Sequence, residues 1–240
     1  MSLQDQVAII TGASSGIGRA TARAFVDAGA KVVVTGRRLE RLEALVDELG
    51  ADHAKAVAGD ICDAAMPKQL IDAALSTFRR LDIAFNNAGI MNIGDVESSD
   101  IDDISRMLQV NVDAAVRFGL VVLKHFKAQG SGFLVNTSSI LGTKVRPTTG
   151  VYAGTKYAIE AWTEALRMEL AGSGVRVCAL EPGLVRTELQ DHWETHPMQT
   201  LGIDKPVEPE DIARAVRFVV EQPPHVVIPR IMVLPAQQAM

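Results

Sequence analysis

Val7-Ala8-Ile9-Ile10-Thr11-Gly12-Ala13-Ser14-Ser15-Gly16-Ile17-Gly18 reads as a buried strand, a tight glycine turn and the opening of a helix that continues through Ala20, Ala24 and Phe25. The apolar run shows no polar alternation, as expected for a short strand covered on both faces. Glycines at 12, 16 and 18 leave room for close backbone approach, and a helix starting near Gly16 directs unpaired amide groups toward an anion. A dinucleotide pyrophosphate fits such a cradle, with Ser14, Ser15 and Ile17 inside the loop. The spacing Gly-x-x-x-Gly-x-Gly departs from the common dinucleotide fingerprint. It also lacks the Gly-Lys-Ser/Thr ending of a P-loop, which argues against a kinase or NTPase. Glycine turns between a strand and a helix also occur where nothing binds, so residues elsewhere in the chain must decide between the two readings.

The chain has 240 residues, 48% hydrophobic and 22% charged, which suits a single large core. A net charge of -5 and a pI of about 5.6 exclude broad attraction to nucleic acid or anionic membrane. Phosphate recognition must then be local. No apolar stretch is long enough to span a bilayer, and the first residues contain no basic region followed by an apolar signal segment, so a cytoplasmic protein is expected. Cys62 and Cys178 have no paired spacing that would indicate a disulfide framework or a metal site.

Strands and helices alternate from the glycine turn onward. Strands are expected at Lys31–Thr35, Ala54–Ala58, Leu81–Phe85, Gly132–Thr137 and Val175–Leu180, with a short last one within Val226–Pro235. Helices are expected at Leu39–Leu49, Met66–Phe78, about Asp100–Gln129 and Gly150–Leu170, and again from Glu210. Trp162, Leu166, Met168 and Leu170 are taken as packing residues, as are Met107, Leu108 and Leu120. This pattern predicts one α/β domain over residues 1–240: a doubly wound, mostly parallel, seven-stranded sheet with helices on both faces and ligand loops at the strands' carboxyl ends. Pro229 and Pro235 place the seventh strand at an edge. Residues 188–209 are expected to form a short cover over the substrate pocket. His192 and His196 within it are spaced i,i+4, but no third ligand is spaced to join them and no metal is expected.

Each strand end carries candidate binding residues. After the second strand comes Gly36-Arg37-Arg38, where an acidic residue would hydrogen-bond an adenosine ribose diol. A small neutral residue followed by guanidinium groups favours a 2′-phosphate, hence NADP over NAD, with Arg37 foremost and Arg38 assisting. Both arginines can equally solvate the next helix. Asp60-Ile61 ends the third strand, near an adenine edge or as a turn cap, and Asn87-Ala88-Gly89 ends the fourth. Tyr152 and Lys156 share one side of a helix, where an ammonium can lower the phenol pKa and fit it for proton transfer; Ser139 can orient a substrate oxygen. Asn111 interrupts an apolar helix and, taken alone, reads as a packing device.

Taken together, Thr11 to Gly18, Asn86-Asn87-Ala88-Gly89, Asn111, Ser139, Tyr152-Ala153-Gly154-Thr155-Lys156 and Pro182-Gly183 with Thr187 closely resemble the short-chain dehydrogenase/reductase family over essentially the whole chain. The resemblance implies an oxidoreductase that moves a hydride between NADP(H) and the carbonyl or hydroxyl carbon of a small or medium aldehyde, ketone or secondary alcohol. Tyr152 would exchange the proton, Ser139 would bind the reacting oxygen, Lys156 would act on Tyr152 and the nicotinamide ribose, and Asn111 would hold a relay water. Gly12, Ser14, Ser15, Gly16, Ile17, Gly18, Arg37, Arg38, Asp60, Ile61, Asn87, Ala88, Gly89, Pro182, Gly183, Val185 and Thr187 would line the cofactor. It also implies a homodimer or homotetramer formed through the helices around 100–129 and 150–171. Two departures stand out: Ser14 and Ser15 replace the basic loop residue of many NADP-preferring relatives, and the C-terminal strand lacks the Val-Asp-Gly-Gly-like ending of many tetrameric ones. The alternatives are an NAD-dependent alcohol or hydroxysteroid dehydrogenase and a non-catalytic NADP-sensing or scaffold protein.

Overall fold

The computed structural model describes residues 3–191 and 197–239. Seven strands form one sheet: β1 (Val7–Thr11), β2 (Lys31–Gly36), β3 (Ala54–Ala58), β4 (Ile83–Asn86), β5 (Gly132–Thr137), β6 (Val175–Pro182) and β7 (Arg230–Val233). Their order is β3-β2-β1-β4-β5-β6-β7, and every pairing is parallel. Strand order therefore reverses between β1 and β4, which opens a crevice at their carboxyl ends.

The period of two along β1 explains how the layers form. Ala8 and Ile10 enter one core with Phe25, Leu42, Leu45, Ile212 and Val216, contributed by helices α1 (Gly16–Asp27), α2 (Leu39–Leu49) and one near the C-terminus. Val7 and Ile9 enter the other with Leu70, Phe118, Phe126 and Leu166. Leu70 comes from α3 (Met66–Phe78), Phe118 and Phe126 from α5 (Ala115–Gln129) and Leu166 from α6 (Gly150–Glu169). Helix α4 (Ile101–Leu108) precedes α5, and the short α7 (Pro197–Thr200) and α8 (Pro209–Val220), the helix on the first face, come later.

Several boundaries differ from expectation for identifiable reasons. The long helix around 100–129 is divided by a π-helical turn at Gln109–Ala114, which contains Asn111. Strand β4 begins at Ile83, later than expected; just before it Asp82 holds both neighbours, its N–H donating to Val7 O at 2.9 Å, its carbonyl accepting Phe133 N–H at 2.9 Å and its carboxylate accepting Val7 N–H at 2.8 Å. Strand β6 runs on through Pro182, whose missing N–H costs no bond with β7 because Gly183 N–H supplies the next one, to Val233 O at 2.8 Å. The last strand shrinks to four residues between Pro229 and Pro235 and lies at the edge. Met168, Leu120 and Leu108 are 59%, 42% and 45% exposed, so the apolar face of these helices extends beyond the core. No helix of the described residues is long and apolar enough to cross a membrane.

The glycine turn allows no extra atom at Gly18. A Cβ there would sit 2.5 Å from Gly12 O and 2.9 Å from Asn87 Nδ2, and backbone cannot move aside as a side chain can. Gly18→Ala should lower unfolding stability by about 1–3 kcal/mol. A urea midpoint equal to that of the parent chain would refute this packing account.

Candidate active site

Thr11 ties the glycine turn to the end of β4. Its hydroxyl accepts the N–H groups of Asn87 at 2.8 Å and Ala88 at 2.9 Å, while Asn87 Nδ2 donates to Thr11 O at 3.0 Å. Gly12, at φ +68°, would place a Cβ 3.0 Å from Ala88 Cα, so glycine serves both the turn and the approach. No side chain caps α1 and its first turn carries no acid, which leaves a cradle suited to an anion.

The corner between β2 and α2 gathers a donor set. Arg38 folds across the loop: Nη2 donates to Ser14 Oγ at 3.0 Å and to Ser15 Oγ at 2.7 Å. Its Nη1 donates to Glu188 at 2.7 Å, and Arg41 donates to the same carboxylate. Arg37 is exposed and makes no hydrogen bond or ion pair among the described residues. At Gly36 a Cβ would lie 3.2 Å from Ser14 Oγ, so an acidic side chain there would crowd the loop. Two guanidinium groups and two hydroxyls thus gather around the Glu188 carboxylate at this strand end.

Beyond β3, the Asp60 carboxylate accepts the Cys62 N–H at 2.9 Å and pairs with Arg106. Burial pushes its pKa up, but the Cys62 amide and Arg106 outweigh that and hold it below the usual range. Asp60 thus makes the contacts of a turn cap, and Ile61 packs into the second core.

The reactive end lies where β4, β5, β6 and α6 meet. Ser139, at the end of β5, donates to Pro182 O at 3.5 Å and accepts from Leu141 N–H at 3.1 Å. Tyr152 is 6% exposed. Burial pushes its phenol up to about 12, and only the neighbouring Ser139 hydroxyl pulls it down. Lys156 Nζ donates to Thr137 O at 2.9 Å and lies 5.7 Å from the Tyr152 ring centroid. Burial lowers its pKa to about 8, opposed by Glu160. In this structure burial, opposed by Ser139, governs the phenol, while the ammonium is turned to Thr137 O.

Asn111 is 1% exposed and is bound at both ends to the Ile90 backbone: Oδ1 accepts its N–H at 2.9 Å and Nδ2 donates to its carbonyl at 2.8 Å. Gly89 lies alongside, where a Cβ would be 3.3 Å from Asn111 Oδ1 and 3.8 Å from Lys156 Nζ. The segment after β6 spans the cleft. Pro182 meets Ser139, the Gly183 backbone is paired with β7, and Val185 is buried. The Thr187 methyl lies 3.0 Å from where a Gly16 Cβ would be. Thr187 and Glu188 line a cleft of about 460 Å³ on the phosphate side, with Gly16 and Met198.

The sequence-derived site residues follow the carboxyl ends of the strands, apart from Asn111 on the π-helical turn and Tyr152 and Lys156 on α6, and Arg37 is exposed. Arg41, Glu188 and Thr137 were missed. For Arg41 the available signal was its place three residues after Arg38, on the same helical face. Also missed were Glu160 and Glu181, buried behind Lys156 with Arg230 Nε 3.4 Å from one and 4.0 Å from the other. His192 and His196 lie outside the described residues. Among those described, no group of three or more histidine, cysteine or acidic side chains could hold a metal ion.

The short chain dehydrogenase family matches residues 6–197. The chain belongs to that family. An uncharacterized oxidoreductase of Staphylococcus saprophyticus is 36% identical to it over 99% of each chain. The closed form of a serine dehydrogenase complexed with NADP+ superposes with a TM-score of 0.92 at 30% identity, covering 98% of this chain and 97% of the other. A 3-ketoacyl-(acyl-carrier-protein) reductase from Brucella melitensis complexed with NADH gives 0.90 at 32%, covering 98% and 99%. Family and fold support an NAD(P)-dependent oxidoreductase role.

The position of Lys156 has a consequence for stability. A lysine whose pKa falls from 10.5 to about 8 binds fewer protons folded than unfolded between those values, so its burial penalty is full below pH 8 and fades as pH rises. Relative to Lys156→Met, the parent chain should gain about 2–3 kcal/mol between pH 7 and pH 10. Urea unfolding of both proteins at matched pH checks this, and a pH-independent difference would contradict it.

Proposed function

We propose that the protein is an NADP(H)-dependent oxidoreductase acting on the carbonyl or hydroxyl carbon of a small or medium aldehyde, ketone or secondary alcohol. The observation that carries this reading is that Ser139, beyond β5, with Tyr152 and Lys156 on α6, shares the carboxyl edge of one all-parallel sheet with the glycine loop beyond β1 and with Arg38 beyond β2. Bound there, NADPH supplies the hydride through its nicotinamide carbon. The chain's own task is to bind, orient and manage the proton.

Ser139 would donate a hydrogen bond to the substrate oxygen, and Tyr152 would give that oxygen its proton. A phenol pushed up to about 12 is neutral at working pH, so it serves as the acid of carbonyl reduction better than as the base of alcohol oxidation. Lys156, held by Thr137 O, would turn toward the nicotinamide ribose and stabilise charge on Tyr152 as it develops. Asn111 would brace the Ile90 backbone beside Gly89 and support a relay water. At the other end Arg38 would meet the 2′-phosphate with Arg37 turning in, Ser14 and Ser15 would line its pocket, and Asn87-Ala88-Gly89 would line the middle of the cofactor. Asp60 and Ile61 would border the adenine, while Pro182, Gly183, Val185 and Thr187 would close over the nicotinamide and diphosphate. Residues 188–209 would cover the substrate. Exposed Leu120, Val151, Tyr157 and Met168 on α5 and α6 support a homodimer or homotetramer built on those helices.

Substrate-stimulated oxidation of NADPH and NADH at matched concentrations tests the reading across aldehydes and ketones. Turnover with NADPH preferred is expected; NADH kinetics that equal or surpass those with NADPH would overturn the cofactor assignment. Tyr152→Phe should retain NADPH binding and lose roughly 10²–10⁴ in turnover. Near-normal turnover would remove Tyr152 from the mechanism. With the parent enzyme, alcohol oxidation should accelerate from pH 7 to pH 10 as phenolate becomes accessible, while carbonyl reduction should not. Parallel pH profiles would show that Tyr152 ionisation does not set the direction.

A further inference from the structure

Glu188 is distant in sequence from the β2–α2 corner, yet its carboxylate occupies the middle of that corner. Arg41 Nη1 donates to Glu188 Oε1 at 2.5 Å and to Oε2 at 2.8 Å, and Arg38 Nη1 donates to Oε2 at 2.7 Å. The far edge of the Arg38 guanidinium meanwhile holds the Ser14 and Ser15 hydroxyls. One carboxylate thus sits where two guanidinium groups converge beside two hydroxyls, an arrangement whose geometry and charge suit a phosphate. Glu188 imitates that anion. The two arginines hold its carboxyl below the usual range.

We propose that Glu188 is a specificity-determining residue whose carboxylate competes with the adenosine 2′-phosphate of NADP(H) for Arg38 and Arg41. The inference rests on the NADP reading given above. Both ion pairs are roughly half exposed, at 41% and 46% for Arg38 and Glu188 and 44% for Arg41, so solvent screens them and they are weak. A phosphate carries more charge and three acceptor oxygens, and it can displace the carboxylate. A ribose with a free 2′-hydroxyl cannot, and it leaves the bridge in place. The cost of breaking the bridge therefore falls on NADP(H) alone, and Glu188 narrows a preference that the arginines would otherwise make wider.

Glu188 opens the 3-10 turn Glu188–Gln190, directly after Thr187, whose methyl packs toward Gly16, so release of the carboxylate would free that turn from the Arg38–Arg41 corner.

Calorimetric titration of the full chain with adenosine 2′,5′-bisphosphate and with adenosine 5′-monophosphate isolates the 2′-phosphate. Glu188→Ala and Glu188→Gln should each bind the bisphosphate about three- to tenfold more tightly while leaving the monophosphate unchanged or weaker. The parent chain should lose that difference in 0.5 M salt, where the bridge is screened. Equal tightening of both ligands, or bisphosphate binding that is unchanged or weakened in both variants, would overturn the competition. Arg38→Ala with Arg41→Ala separates this from the underlying reading. If the double variant loses bisphosphate affinity while the Glu188 variants do not gain it, the competition alone fails. If the double variant binds the bisphosphate normally, the phosphate does not sit at this corner, and the competition fails together with that placement.

Discussion

The buried hydroxyl of Thr11 is the joint on which the cleft depends. It lies at the carboxyl end of β1, where strand order reverses toward β4, and it accepts two consecutive backbone N–H groups from the other side of that reversal. Parallel strands hold their neighbours evenly along the ladder, but beyond the ladder the chains must diverge into separate crossovers. At that divergence Thr11 replaces the missing ladder bonds. The approach of Gly12 to Ala88 results from it, as does the placement of Asn87 against the glycine turn.

A second set of contacts extends from this joint toward the reactive end. Thr137 hydrogen-bonds Asn87 through its hydroxyl at 3.4 Å and holds Lys156 through its carbonyl. Ser139 reaches Pro182 across the neighbouring strand. Strand ends β1, β4, β5 and β6 are therefore linked laterally by side chains where main-chain pairing stops. Such a rim keeps the phosphate cradle and the phenol in register without a loop having to define the distance between them.

The local parts of this arrangement were readable in the sequence. Apolar runs of four or five residues, the glycines of the turn and the four-residue spacing of Tyr152 and Lys156 are short-range signals, and each falls where it was expected. What escaped depends on partners far along the chain. Nothing near Arg38 announces Glu188, so its grip on the loop and on that carboxylate could not be read locally. Asp60 could be read locally as a turn cap, but its partner Arg106, on α4, could not be read from the sequence around it. The π-helical turn around Asn111 has no local marker because it answers to the Ile90 backbone. The spacing of Tyr152 and Lys156 was legible, but the burial of both side chains was not, since spacing carries no information on burial.

Lys156 also stands in front of a buried acidic pair. Glu160 and Glu181 are 4% and 2% exposed, burial pushes both pKa values up, and the cation beside both is Arg230 on the edge strand. Seventy positions separate Glu160 from Arg230. The charge balance behind Lys156 is therefore completed from β7, the edge strand, so the surroundings of α6 depend on a strand outside its own part of the sheet.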